Sequence, residues 1–349
     1  FVCNSDAASN LSFIVDEIGK QENGGKLPFN YVLPEGIKQE RFFNTFSNVL
    51  QDERSLNLRV CDLPDSCEVS INKLQELDLR QFKRLQMFVH AEEDPTEEPI
   101  EDGEAIVFLR IGKDFNNNYY EYAIPLTFSK VNRLPGSKSA DPAGYEAEVW
   151  RDENMFDFAL TVLSDVKRLR SESNVPLTEL FSVADMQDTI SGRTPIVSIK
   201  GNPSLGFAKS MMIGIRNPEG GAPRICANVW VNELRLNGFN EQGGFAGLAR
   251  LDVQLADLGN FTASGSYSSV GFGQIDDQIA DRNLDQFIEY DFATSLELGK
   301  LFPYKWGLSV PFYYQYAKSI VKSKFDQYEL DLTVDELLEN PNLTPEQRE

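Results

Sequence analysis

Between residues 245 and 320 apolar and polar side chains alternate with a period of two, in four segments of about ten residues each. In the first segment Leu251, Val253 and Leu255 oppose Arg250, Asp252 and Gln254. In the second, Phe261, Ala263, Gly265 and Tyr267 alternate with Thr262, Ser264, Ser266 and Ser268. In the third, Tyr290, Phe292, Leu296 and Leu298 alternate with Asp291, Ser295 and Glu297. In the fourth, Trp306, Leu308, Val310, Phe312, Tyr314 and Tyr316 share one side. Successive side chains of a strand point to opposite faces, so the pattern predicts strands with one apolar face and one polar or small face. Strands of this length with aromatics near their ends fit the wall of an outer-membrane β-barrel.

On that reading Leu251, Val253, Leu255, Phe261, Tyr267, Phe292, Leu296, Leu298, Trp306, Leu308, Val310, Phe312 and Tyr314 face lipid. Arg250, Asp252, Gln254, Thr262, Ser264, Ser266, Ser268, Asp291, Ser295 and Glu297 face a water-filled lumen. The same pattern also suits a soluble sheet packed on a core by its apolar face. Four strands cannot close a membrane barrel, and an open edge in lipid leaves backbone groups unpaired, so the barrel reading makes this chain part of a larger wall. The connections at 258–260 and 301–305 are short, whereas 273–289 is long and polar. Barrels of this kind have short periplasmic turns and longer extracellular loops. The first strand then enters from outside, which places the preceding domain and the tail after residue 320 outside as well.

Before this region the pattern divides into a mixed segment over 1–50, a β-rich domain over 51–237 and a glycine-rich hinge over 238–244. Strands are expected over 56–60, 85–91, 105–111, 119–128, 147–150, 195–200, 207–216 and 227–236. Helices are expected over 11–18 and 155–169. The 105–111 run is apolar but for Arg110 and predicts a strand buried on both faces. Many short strands between turn residues suggest a β-sandwich of jelly-roll type. The acidic run over 92–104 reads as an exposed loop. A polar segment, 321–349, closes the chain, with a helical turn expected over 334–338. The fold class is therefore all-β with minor helices: four transmembrane strands preceded by an extracellular sandwich.

Composition narrows the function. A net charge of −21 excludes the basic surface that nucleic acid requires. Cys61 and Cys67 flank a turn, which allows a local disulfide in an oxidising compartment; unpaired thiols are the other reading. No Cys or His cluster has zinc spacing, and no nucleophile elbow, P-loop or dinucleotide fingerprint occurs. No enzyme activity, cofactor or metal is expected. Asp114 and the asparagines at 116–118 resemble the start of a calcium loop, but position six is not Gly and position twelve is Pro125. A hairpin turn is the better reading. His90, the single histidine, is read as structural. Trp150, Tyr119, Tyr120 and Trp230 are read mainly as core; the alternative is a glycan-binding platform on a surface sandwich.

Several motifs occur in a fixed order: Ile-Lys-Gly-Asn-Pro-Ser-Leu-Gly at 199–206, Met-Met-Ile-Gly-Ile-Arg-Asn at 211–217 and Val-Trp-Val-Asn-Glu-Leu-Arg-Leu at 229–236. Ala-Asp-Leu-Gly-Asn at 256–260, Leu-Gly-Lys-Leu-Phe-Pro at 298–303, Lys-Trp-Gly at 305–307 and Pro-Asn-Leu-Thr-Pro at 341–345 follow. Together they resemble the SprA/Sov family, the outer-membrane translocon of the type IX secretion system in Bacteroidota, over about half of the chain. The resemblance implies a very large single-chain barrel that exports folded cargo proteins and serves gliding motility. It implies extracellular insertions capping the pore, a PorV-like outer-membrane barrel partner and a periplasmic plug protein. It supplies no catalytic residues.

Overall fold

Short apolar runs between turn residues pair into antiparallel sheets throughout the computed structural model. It describes residues 2–3, 10–39, 41–44, 47–94, 99–134, 141–184, 194–218, 223–241, 243–276, 282–326 and 331–335. The chain forms two units, Phe1–Phe239 and Asn240–Glu349. Pro-Asn-Leu-Thr-Pro at 341–345 and most of the expected 334–338 turn lie outside the described residues.

The first unit holds a seven-stranded and a five-stranded sheet. In spatial order the larger contains β1 (Val2–Cys3), β6 (Cys67–Leu77), β13 (Ala208–Arg216), β8 (Ile106–Gly112), β9 (Tyr119–Pro125), β12 (Ile196–Lys200) and β11 (Phe181–Ala184). The smaller contains β10 (Phe156–Ala159), β7 (Arg84–Glu93), β14 (Ile225–Asn237), β5 (Arg54–Leu63) and β2 (Ser12–Gly19). A separate hairpin joins β3 (Arg41–Asn44) to β4 (Ser47–Leu50). Alternate residues of the two sheets meet in one core: Val107, Leu109, Tyr120 and Tyr122 from one, Leu58, Val60, Val89 and Val229 from the other. Tyr122 stacks on Phe158 across the interface at 3.9 Å. Each fully buried side chain of this size contributes about 1.5–3 kcal/mol.

Three local expectations change. Residues 11–18 form β2, not a helix, because Phe13, Ile14 and Val15 pair with Val60, Arg59 and Leu58 on β5. Two of the three are β-branched, and the edge pairing outweighs the weak helical spacing. Residues 147–150 end a helix, α1 (Pro142–Val149), rather than forming a strand. The Asp141 carboxylate accepts the Gly144 amide at 2.9 Å, and Pro142 opens the first turn, so a capped start decides the element. The predicted 155–169 helix divides into β10 and a helix over Thr161–Glu172. Phe156 and Phe158 both enter the core while pairing with Met87 and Leu85.

The outer face of the five-stranded sheet is covered by residues 24–37 and by α1. Phe29 and Tyr31 are buried there beside Trp150 and Trp230. The Tyr31 hydroxyl bonds Ser55 at 2.8 Å, and burial pushes its pKa up to about 12. His90 lies fully inside this cluster, against the Trp230 ring at 4.0 Å, with its Nδ1 on the Val149 carbonyl at 2.6 Å. The acidic run expected to be exposed begins inside β7, where Glu92 is buried and receives Lys26 and Asn228. Burial works against its charge, yet His90 and Lys26 hold its carboxyl below the usual range.

The motif at 199–206 organises the opposite end. Gly201 is left-handed (φ 69°), and a Cβ there would meet the Asn117 carbonyl. The Asn202 amide donates to Asn118, the buried Lys167 ammonium donates to the Pro203 carbonyl, and the Leu79 amide donates to the Leu205 carbonyl. One loop thus ties the β8–β9 hairpin, the 161–172 helix and the end of β6.

The disulfides differ from the local bridge expected. Cys61 bonds Cys226, and Cys3 bonds Cys67. Strand order is the reason: β5 lies beside β14, with Leu63 opposite Ile225, and β1 pairs Cys3 with Cys67. Peptide mapping without reduction is expected to recover Cys3 linked to Cys67 and Cys61 linked to Cys226; a Cys61–Cys67 peptide would contradict this strand order.

Candidate functional surface

The second unit is a four-stranded antiparallel meander of β15 (Ala246–Leu255), β16 (Gly259–Ser268), β17 (Asp285–Glu297) and β18 (Pro311–Ser323). Its register sorts the side chains into ladders, because residues directly opposite one another share a face. Leu255, Gly259, Leu296 and Phe312 form the ladder nearest the tight turn. Next come Val253, Phe261, Thr294 and Tyr314, then Leu251, Ala263, Phe292 and Tyr316, then Ala249, Gly265, Tyr290 and Lys318. Phe292 contacts the rings of Tyr314 and Tyr316, each at 5.6 Å. Lys318 and, nearer the strand end, Lys322 are cations on this side, with long stems that let their heads leave the apolar surface.

The other face carries Gln254, Asn260, Ser295 and Tyr313; then Asp252, Thr262, Ala293 and Gln315; then Arg250, Ser264, Asp291 and Ala317; then Leu248, Ser266, Glu289 and Ser319. Arg250 pairs with Asp252 at 2.9 Å. Ser264 donates to Asp291, Ser319 donates to Glu289 at 3.2 Å, and Ser323 donates to Asp285 at 2.7 Å. Hydroxyls orient these carboxylates without cancelling their charge, so this face needs water.

None of the residues in these four strands is buried, on either face. Among the described residues β15 and β18 each have one strand neighbour. Among the described residues of this unit, no protein layer buries the apolar ladders.

Four residues expected on the apolar wall lie outside the strands. Leu298, Trp306, Leu308 and Val310 belong to the connection 298–310, which replaces the short turn expected at 301–305. Two short 3-10 helices, Leu298–Leu301 and Tyr304–Trp306, turn the backbone, and Gly307 is left-handed (φ 60°). The Phe302 and Trp306 amides bond Gly299 and Pro303 carbonyls instead of a neighbouring strand. The connection 256–258 is tight: Ala256 is left-handed (φ 47°), and a Cβ on Gly259 would meet the Ser295 carbonyl. The link from the first unit enters β15 at the other end of the sheet, the end that also carries the 269–284 connection.

The remaining candidates resolve into structure. Asp114 accepts the amides of Asn116, Asn117 and Asn118 at 3.0, 2.6 and 3.1 Å and closes the β8–β9 hairpin. Its partial burial opposes ionisation, but these bonds and the Asn118 side chain lower its pKa to about 2. Trp150, Tyr119, Tyr120 and Trp230 are buried, so they present no ring face to a sugar. Among the described residues no helix is long and apolar enough to cross a membrane, which says nothing of strands.

A family profile described as motility related/secretion protein matches residues 4–338. No curated protein matches the chain.

Proposed function

Because the chain belongs to the SprA_N family of motility related/secretion proteins, we propose that its four-stranded sheet is part of the wall of a very large outer-membrane barrel that exports folded cargo proteins. The apolar ladders meet lipid and the serine- and carboxylate-bearing ladders line a water-filled passage. The sandwich of the first unit, read as jelly-roll-like, caps that passage from the extracellular side. A PorV-like barrel, a periplasmic plug and the cargo are its partners, and the chain conducts rather than catalyses.

The observation that carries this reading is the register: it collects Leu251, Val253, Leu255, Phe261, Phe292, Leu296, Phe312 and Tyr314 on one unburied face and the carboxylates and serines on the other. Strands of 10 to 13 residues suffice to cross a hydrocarbon layer when tilted. The strands that close the barrel must come from polypeptide beyond these four. The short 256–258 turn supports an orientation with the long 269–284 connection outside and the first unit on the same side. The buried aromatics leave the glycan-binding alternative without a platform.

An epitope inserted after Asp276 in the full-length protein tests both parts. It is expected to fractionate with the outer membrane and to bind antibody on intact cells. Binding only after permeabilisation would reverse the topology, and recovery in the soluble fraction would reject the membrane reading.

A further inference from the structure

The connection 298–310 carries Leu301, Phe302, Tyr304, Trp306, Leu308 and Val310 as exposed side chains, and Tyr304 is 99 % exposed. The chain has 54 acidic residues against 33 basic ones, yet this stretch contains Lys300 and Lys305 and no acid. A turn in water would ordinarily be polar. This one is apolar, aromatic and cationic.

It is also a shaped element. The Leu298 amide bonds the Val310 carbonyl at 2.8 Å and closes the neck, and the Val310 amide donates to the Glu297 carboxylate at 2.6 Å. Within the loop, the Phe302 and Trp306 rings stack at 5.9 Å. Lys300 reaches Asp257 in the neighbouring tight turn at 3.1 Å, which ties the two turns together. The neck continues directly into the Leu296–Phe312 ladder.

Resting on the membrane reading above, we propose that this connection is an interfacial anchor: it leaves the wall and lies among phospholipid headgroups at the rim. Trp and Tyr favour that zone because their rings are apolar and their N–H and O–H groups stay wet. Lysines beside them match lipid phosphates in sign. A protein partner fits less well, since an acid-free, cationic turn on a chain this acidic suits a place where anions are dense.

The test uses the full-length protein in vesicles of phosphatidylethanolamine and phosphatidylglycerol, with an environment-sensitive dye on Tyr304→Cys or on Val253→Cys. Nitroxide lipids labelled at the headgroup or mid-chain, and aqueous iodide, serve as quenchers. The Tyr304 position is expected to be quenched several-fold more by headgroup nitroxide than by either other quencher, and the Val253 position most by mid-chain nitroxide. Iodide quenching at Tyr304 with lipid quenching at Val253 overturns the anchor and leaves the wall intact. Iodide quenching at both positions overturns the wall and the anchor with it. Protection of Tyr304 from all three quenchers assigns the turn to a protein contact and also overturns the anchor.

Discussion

Glu121→Gln is expected to destabilise the Phe1–Phe239 unit by about 3–5 kcal/mol, as when one member of a buried ion pair is removed. Glu121 belongs to a closed quartet on the outward side of the seven-stranded sheet. Arg110 grips both Glu68 oxygens at 2.7 and 2.8 Å and also reaches Glu121. Arg216 donates to both Glu121 oxygens, at 2.9 and 2.8 Å, and to Glu68. The four residues come from β6, β8, β9 and β13 and balance two positive against two negative charges. Both guanidiniums lie over the Phe108 ring, at 4.6 and 4.8 Å, and that ring occupies the space a Cβ on Gly214 would need. Glutamine keeps the shape and removes the charge, which leaves two arginines facing one carboxylate in a poorly solvated place. Urea unfolding of the full chain, followed through Trp150 and Trp230, measures the loss. Pairing Glu121→Gln with Arg110→Met restores neutrality, so the double variant should lose less than the sum of the single ones. A loss below about 1 kcal/mol for Glu121→Gln would mean that the quartet behaves as an exposed pair.

The same quartet sets a pH dependence. Burial disfavours the Glu121 carboxylate, but Arg216 and Arg110 outweigh it and hold its pKa below the ordinary glutamate value. A group depressed in the folded state contributes stability above its unfolded pKa and loses it as pH falls through the folded one. Acid is therefore expected to weaken wild type through a window at and below the usual carboxylate range. Glu121→Gln should lack its share of that loss.

Most strands were legible because burial imposes a period. The mostly apolar run at 105–111 predicted β8, and the segment 227–236 predicted the centre of β14. What failed had no local signal. β6 escaped because its apolar side is short and residues 72–76 are exposed. Glu68, Arg110, Glu121 and Arg216 are scattered in sequence, and only the sheet order β6-β13-β8-β9 brings them together. The disulfides escaped for the same reason. In the last connection the pattern misled: Trp306, Leu308 and Val310 continue in phase with Phe312, while Pro303 and left-handed Gly307 have already taken the backbone out of the sheet. Alternation records side-chain character, not hydrogen bonding, and a turn lying in an apolar interface keeps the same character as a strand.

Val253→Arg and Ser264→Arg separate the two faces of that sheet. Val253 stands opposite Phe261, with Thr294 and Tyr314 beyond, one ladder from the middle of the apolar face. In the proposed wall, an arginine there would either enter hydrocarbon or thin the bilayer around itself, at a cost of about 2–4 kcal/mol near the midplane. Ser264 is three ladders away, on the other face of the neighbouring strand, opposite Arg250 and beside Asp291. A longer cation at that position meets water and a carboxylate, so the change should be close to neutral. Assembly is read as the fraction of full-length protein recovered folded in outer-membrane vesicles, with urea unfolding from the same vesicles giving the energy. Val253→Arg should fall well below wild type and Ser264→Arg should match it. The reverse order would place lipid against the serine-bearing side. Equal tolerance would mean that neither side meets hydrocarbon, and the apolar ladders would then have to be covered by protein.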